Sequence, residues 1–144
     1  MQYDSTNVPK LFKKVKWRSY SVNLDVGGGY HEDATLYLAE RKVHNVVYDP
    51  KHKSAEHNAK AISFVLGIGG SHSVTLSDVL DLYPSWKDRD AILYYSKFLA
   101  RKGAPIYISV YDDVDKYADA SRIDCQHPIG HKRIRDEYTW NLKT

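Results

Sequence analysis

The chain has 144 residues, with 21 lysines and arginines against 18 aspartates and glutamates and a formal charge of +3. That length gives one domain over 1–144 with a buried core, small for an α/β nucleotide fold. The single cysteine, Cys125, excludes an internal disulfide and any multi-cysteine zinc site. No apolar run approaches the ~20 residues of a membrane span, and no signal-like hydrophobic stretch follows Met1. A soluble, cytoplasmic protein with no membrane partner is expected.

Residues 1–19 read as a basic lead-in, with Val8, Leu11, Phe12 and Val15 spaced for one packed helical face. Val22, Leu24 and Val26 mark a first strand, which carries Asp25 and breaks into Gly27, Gly28 and Gly29. A helix follows from Glu32 to Val43, then a second strand, Asn45 to Pro50, ending in the acid Asp49. Lys53 to Leu66 is the next helix, with Ser54 as its cap and Ala55, Ala59, Ile62 and Leu66 on one side; its tail is also readable as a short strand. Ser73 to Asp78 is a further strand, and Val79 to Pro84 its exit loop. Ser85 with Asp88 three residues on opens a helix that runs to Arg101 and stops at Gly103. Pro105 to Tyr111 is the last strand this pattern supports; residues 112–144 show an acidic stretch and no evident strand-like alternation.

A strand that runs through glycines into a helix start is built to cradle a nucleotide. Glycine lets the backbone approach closely, and the helix-start amides donate hydrogen bonds. Asp49, about twenty residues on, stands where such units place a ribose-gripping carboxylate. The dinucleotide fingerprint G-x-G-x-x-G is broken, since its third glycine falls on Glu32. Acid-x-Gly-x-Gly-x-Gly fits Asp25, Gly27 and Gly29, with His31 at the last glycine position. An ordinary strand-to-helix turn is the plainer alternative.

Charge is unevenly spread. Lys10, Lys13, Lys14, Lys16 and Arg18 surround Trp17, Lys132, Arg133 and Arg135 precede Trp140, and five aspartates crowd 112–124. Such basic segments bind nucleic-acid phosphate or are simply solvated faces. The seven histidines, among them the pairs His52 and His57 and His127 and His131, sit beside no HExxH or Cys-x-x-Cys pattern, so no metal is expected.

The runs Leu-Asp-Val-Gly-Gly-Gly, Asn-Val-Val-Tyr-Asp-Pro, Glu56-His-Asn58, Val-Thr-Leu-Ser-Asp-Val-Leu, Lys-Gly-Ala-Pro-Ile-Tyr-Ile-Ser-Val-Tyr and Tyr138-Thr-Trp-Asn-Leu-Lys-Thr together resemble small class I S-adenosylmethionine-dependent methyltransferase-like proteins of bacteria and phages. The resemblance spans most of 20–144. It implies an α/β, three-layer Rossmann-like fold with a mainly parallel sheet, ordered 2-1-4-5 in the family's strand numbering. It also implies S-adenosylmethionine as cofactor. Asp25, Gly27 and Gly29 would cradle its methionine portion, with Gly28 and His31 beside them. Asp49, followed by Pro50, would hold the ribose, and Ser77 and Asp78 would line the opening towards the methyl group. The chain departs from that pattern at His31, in an absent third strand and in two absent final strands, so the expected core is truncated.

Methyl transfer from a sulfonium needs alignment of two partners rather than a nucleophile or triad. The exit loop lacks the acid-Pro-Pro-aromatic order of amino DNA methyltransferases, but Asp78, Asp81 and Tyr83 are candidates to orient an acceptor. The acceptor is left open, nucleic acid included, as is a homodimer that completes the core. The alternative is a protein that binds S-adenosylmethionine or a nucleotide without transferring methyl.

Overall fold

The computed structural model describes residues 3–29, 32–80, 83, 86–111, 131–134 and 137–143. After a single 3₁₀ turn at Ser5–Asn7 come α1 (Lys10–Lys14), β1 (Val22–Val26), α2 (Asp33–Glu40), β2 (His44–Tyr48) and α3 (Ala55–Gly67). Then follow β3 (Ser73–Ser77), α4 (Trp86–Leu99), β4 (Pro105–Tyr111), β5 (His131–Ile134) and β6 (Glu137–Lys143). The sheet order is β2-β1-β3-β4-β6-β5. The first four strands are parallel, and β6 and β5 close the sheet antiparallel.

The parallel part matches the expected order, but the expected truncation is only half right. The sequence pattern predicts no strand in 112–144, yet β6 pairs with all of β4, from Pro105 opposite Lys143 to Tyr111 opposite Glu137. Its sequence does alternate, Tyr138, Trp140 and Leu142 against Glu137, Thr139, Asn141 and Lys143. What hid the pair is β5, His-Lys-Arg-Ile, which is short and mostly polar. The third strand is indeed missing: only α3 lies between β2 and β3. Among the described strands β2 is therefore an edge strand rather than a central one. The carbonyl of Val47 on that strand accepts a bond from His57 Nε2 on α3, at 2.8 Å.

Local chemistry explains the helix bounds. Ser54 caps α3 by accepting from the His57 amide at 3.1 Å. The tail read as an alternative strand is its last turn. α2 ends at Glu40, three residues short of the expected Val43, because Lys42 takes φ 60°. Lys42 N then bonds Ala39 O and Val43 N bonds Leu38 O, both at 2.9 Å, a left-handed stop usually given to glycine.

Strand alternation sends consecutive residues to opposite faces of the sheet. On one face, Leu24, Val26, Val46, Val74, Leu76, Ile106 and Ile108 pack against Ala61 and Val65 of α3 and Leu93 and Leu99 of α4. On the other, α1 and α2 bring Phe12, Ala34, Tyr37 and Leu38 together with Val8 and Val43. Beneath them the strands present buried polar groups: Asn23, Asp25, Asn45, Ser73, Thr75 and Ser109. Helices thus cover both faces in three layers. None of the described helices is long and apolar enough to cross a membrane.

Candidate functional site

Leaving β1 the chain moves outward to β2, then returns across β1 to β3. A parallel sheet that reverses direction in this way opens a crevice beyond the carboxyl ends of the two inner strands. Gly27 stands in that crevice and lines two cavities, one on either side. The smaller, about 180 Å³, is bounded by Pro9, Phe12, Asp25, Gly28, Ser77 and Asp78. The larger, about 450 Å³, is bounded by Tyr48, Asp49, Pro50, His52, Val79, Tyr83, Ile92 and Tyr95. Apart from Gly29, which lines neither cavity, the sequence-derived residues that are described therefore divide into two sets joined at Gly27.

The glycines are required by contact. Gly27 has φ +83°, and a Cβ there would meet Val79 Cγ2 at 2.6 Å. On Gly29 a Cβ would lie 2.9 Å from the Asp49 side chain, and the Gly29 amide donates to Asp49 Oδ2 at 2.8 Å. Gly28 sits directly over the Asp25 carboxylate. It and Gly29 also line a third hollow, on the β2 side.

Asp25 is fully inside. Asn45 Nδ2 donates to its Oδ2 at 3.4 Å and Thr75 Oγ1 to its Oδ1 at 3.2 Å. Behind these, Asn23 Nδ2 donates to Asn45 Oδ1 and to Thr75 Oγ1, both at 2.9 Å, and Ser73 Oγ donates to Asn23 Oδ1 at 2.8 Å. Burial raises the Asp25 pKa to about 6, against the lowering effect of Asn45 and Thr75, with the Asp49 charge adding to the rise.

Asp49 is treated oppositely. Burial pushes it up, but hydrogen bonds from His52, from the Gly29 amide and from the His52 and Lys51 amides outweigh this and hold it below the usual carboxylate range. Oδ2 takes Gly29 N and His52 Nδ1, at 2.8 and 2.9 Å; Oδ1 takes Lys51 N and His52 N, at 3.0 and 3.1 Å. Its main chain is clamped by Asn58, which accepts from Asp49 N at 2.9 Å and donates to Asp49 O at 3.1 Å.

Asp78 ends β3 with φ 57°, a conformation aspartate tolerates better than most residues. Ser109 Oγ donates to its Oδ1 at 3.2 Å, and Asp78 N donates to Ser109 O at 2.9 Å. Tyr83 lies on the rim of the larger cavity, on the other side of Gly27 from Asp78, so the structure does not bring these two acceptor candidates into one cavity. The Tyr83 carbonyl accepts from Arg89 Nε at 2.6 Å. Tyr48 and Tyr95 face each other in the larger cavity, ring centroids 5.7 Å apart, and burial followed by Tyr95 raises the Tyr48 pKa. His31 and Asp81, both sequence candidates, lie outside the described residues. Asn45, Thr75, Asn58, His52 and Arg89 are not among the site residues expected from sequence. Asn45, Thr75 and Asn58 do fall within the runs that carry the resemblance, and His52 is named there only as one of the histidines, but nothing in the sequence marks Arg89.

Trp17 does not present an indole for stacking on a base. It stacks on Phe12 at 6.1 Å, meets Tyr107 edge-on at 6.1 Å and donates from Nε1 to Phe12 O at 2.8 Å. No group of three or more histidine, cysteine or acidic side chains among the described residues is placed to hold a metal.

No family model and no curated protein matches the sequence. Solved structures do match the fold. The C-terminal domain of precorrin-6Y C5,15-methyltransferase from Rhodobacter capsulatus superposes with a TM-score of 0.55 at 12% identity, covering 88% of this chain and 82% of that one. The protein-(glutamine-N5) methyltransferase (release factor-specific) from Alicyclobacillus acidocaldarius superposes with a TM-score of 0.55 at 14% identity, over 99% of this chain and 98% of that one. The chain has the class I methyltransferase fold. At these identities the likeness carries the fold alone, and activity is argued from the crevice.

Proposed function

We propose that the crevice binds S-adenosylmethionine and that the protein transfers its methyl group to an acceptor. The observation that carries this reading is the pair of cavities meeting at Gly27, a carboxylate in each. Asp49 would hold the ribose hydroxyls, and Tyr48, Val79, Ile92 and Tyr95 offer an apolar slot for the base. On the other side Asp25 and Asp78 would supply negative charge for an ammonium, and the Gly28 amide would supply a donor for a carboxylate. The residues present therefore fit such a cofactor.

When bound, the cofactor supplies a methyl group already activated on sulfur. The work left to this chain is to hold donor and acceptor in line and keep water out. Ser77 and Asp78, at the end of β3, border the smaller cavity and would steer the acceptor. Tyr83, rooted through its carbonyl to buried Arg89, borders the larger one.

Calorimetry with S-adenosylmethionine, S-adenosylhomocysteine and NAD tests the reading. Binding of the first two only is expected; binding of NAD alone overturns it. Asp49→Ala should cost about 1.5–3 kcal/mol, roughly ten- to a hundredfold in affinity, as expected for hydrogen bonds to a charged group. Undiminished affinity in that variant would mean the ribose site is misplaced. Incorporation of labelled methyl into nucleic acid or cell extract then separates transfer from binding alone.

A further inference from the structure

At the opposite end of the sheet, where β1, β3 and β4 begin, lies a further cavity of about 480 Å³. Lys16, Arg18, His72, Arg101 and Lys102 line it, and none of the described lining residues is acidic. Arg101 is fixed there, Nε donating to Gly70 O at 2.9 Å and Nη2 to Ile68 O at 2.7 Å. His72 Nδ1 accepts from the Val22 amide at 2.9 Å, which leaves the ring proton on Nε2 as a donor. Burial, then the charges of Arg101 and Arg18, hold the His72 pKa below its ordinary value, so its ring adds a neutral donor among cations. Converging donors and positive charge around a cavity of this size suit phosphoryl oxygens.

The surroundings say which kind of phosphate. β1 has five residues, so the cavity and the cofactor crevice are about 16 Å apart along the strand. Between them runs the lead-in, with Lys10, Lys13 and Lys14 exposed on α1. Phe12, on the same helix, reaches the smaller cofactor cavity. Positive charge is thus strung from one end of the sheet towards the other, a pattern that matches a chain of phosphates rather than one. Trp17 is engaged with Phe12 and Tyr107, so recognition here rests on phosphate and not on base stacking.

We propose that this basic cavity binds the phosphodiester backbone of a polynucleotide and, with the α1 lysines, leads the strand towards the crevice. The phosphate site stands without the cofactor reading; that the bound polynucleotide is the methyl acceptor rests on it. The test therefore measures binding without cofactor, by fluorescence anisotropy of labelled 20-nucleotide single strands and duplexes on the full chain. With four cations engaged on a single strand, affinity should fall about fiftyfold between 50 and 200 mM salt, a slope near −3. The variant Lys16→Ala/Arg18→Ala/Lys102→Ala, all three exposed, should bind more than tenfold more weakly at 50 mM salt and lose about two units of that slope. Arg101 is left intact because it ties down two carbonyls, and a melting curve checks that the variant folds. Lys16→Glu/Lys102→Glu should abolish binding and serves if the alanine variant unfolds. No oligonucleotide binding at 50 mM salt overturns the proposal, as does binding unchanged in both variants. It is also overturned if inorganic phosphate alone binds at this cavity, or if phosphatidylserine vesicles bind in place of oligonucleotides.

Discussion

The two faces of one sheet are held together by opposite chemistries. Towards α3 and α4 the strands present mainly aliphatic side chains, with Tyr48 and His44 at the β2 margin, and the attraction of such apolar groups is non-directional and indifferent to small rotations. Towards α1 and α2 the same strands present the Asn23–Asn45–Ser73–Thr75 network, which ends on Asp25. Hydrogen bonds fix direction as well as distance, and a buried group that loses its partner bears the cost of desolvation. The apolar face therefore keeps the sheet folded, and the polar face sets the position and charge of one carboxylate in the crevice.

The sharpest separation of the two comes from Leu76→Ala on the apolar face. It should cost about 2–5 kcal/mol in urea denaturation through the cavity it leaves. The folded fraction should bind cofactor with unchanged affinity. A loss of affinity in step with stability would break the division.

Next is the pH response of the polar face. With its native pKa near 6 against 3.8 for the ordinary side chain, Asp25 keeps a proton that the unfolded chain releases between those values. Its contribution to stability is full below pH 3.8 and is lost as pH rises to 6, by about 3 kcal/mol at most, at about 1.36 kcal/mol per pKa unit. Asp25→Asn should remove that slope from the stability-against-pH curve. Curves that stay parallel in the two proteins would show that Asp25 titrates normally.

Asn23→Ala is expected to cost somewhat less, about 2 kcal/mol, by orphaning Ser73 Oγ and the acceptors on Asn45 and Thr75. Unlike Leu76→Ala, it should weaken cofactor binding in the folded protein, because Asn45 and Thr75 position Asp25. Equal stability with intact affinity would make the network dispensable.

The smallest effect belongs to His52. The Asp49 carboxylate already accepts four hydrogen bonds, so a ribose held there as proposed would have to displace one, and the partly exposed His52 ring is the easiest to move. His52→Ala should tighten binding by about two- to tenfold, the worth of one ordinary hydrogen bond. Weaker binding in calorimetry would instead show that His52 touches the ligand.

Legibility in the sequence followed the range of the interactions. The parallel strands and their helices were readable because their signals are local: alternating valines and leucines, Ser54 as a cap, glycines before a helix. The crevice was readable at Asp25, Gly27 and Asp49 because a strand end, a glycine and an acid about twenty residues on form one unit. The polar network was not. Asn23 meets partners 22 and 52 residues away, and asparagine and threonine between aliphatic residues look like a solvent-facing side. Trp17 beside a run of lysines suggests stacking on a base, whereas its partner Tyr107 lies ninety residues along the chain, out of reach of any local pattern. The β5–β6 pair escaped because β5 has almost no apolar residue to announce it.

The missing third strand leaves β2 as a border that another chain could extend. Alternate main-chain groups along such a border point away from the sheet, and a foreign strand can zip onto them. Here the Val47 carbonyl is already stoppered by the His57 imidazole, and the strand is only five residues long. An incoming strand would have to evict a side chain held by α3 to gain a short run of bonds. The helix that takes the place of the lost strand thus also blunts the border it leaves behind.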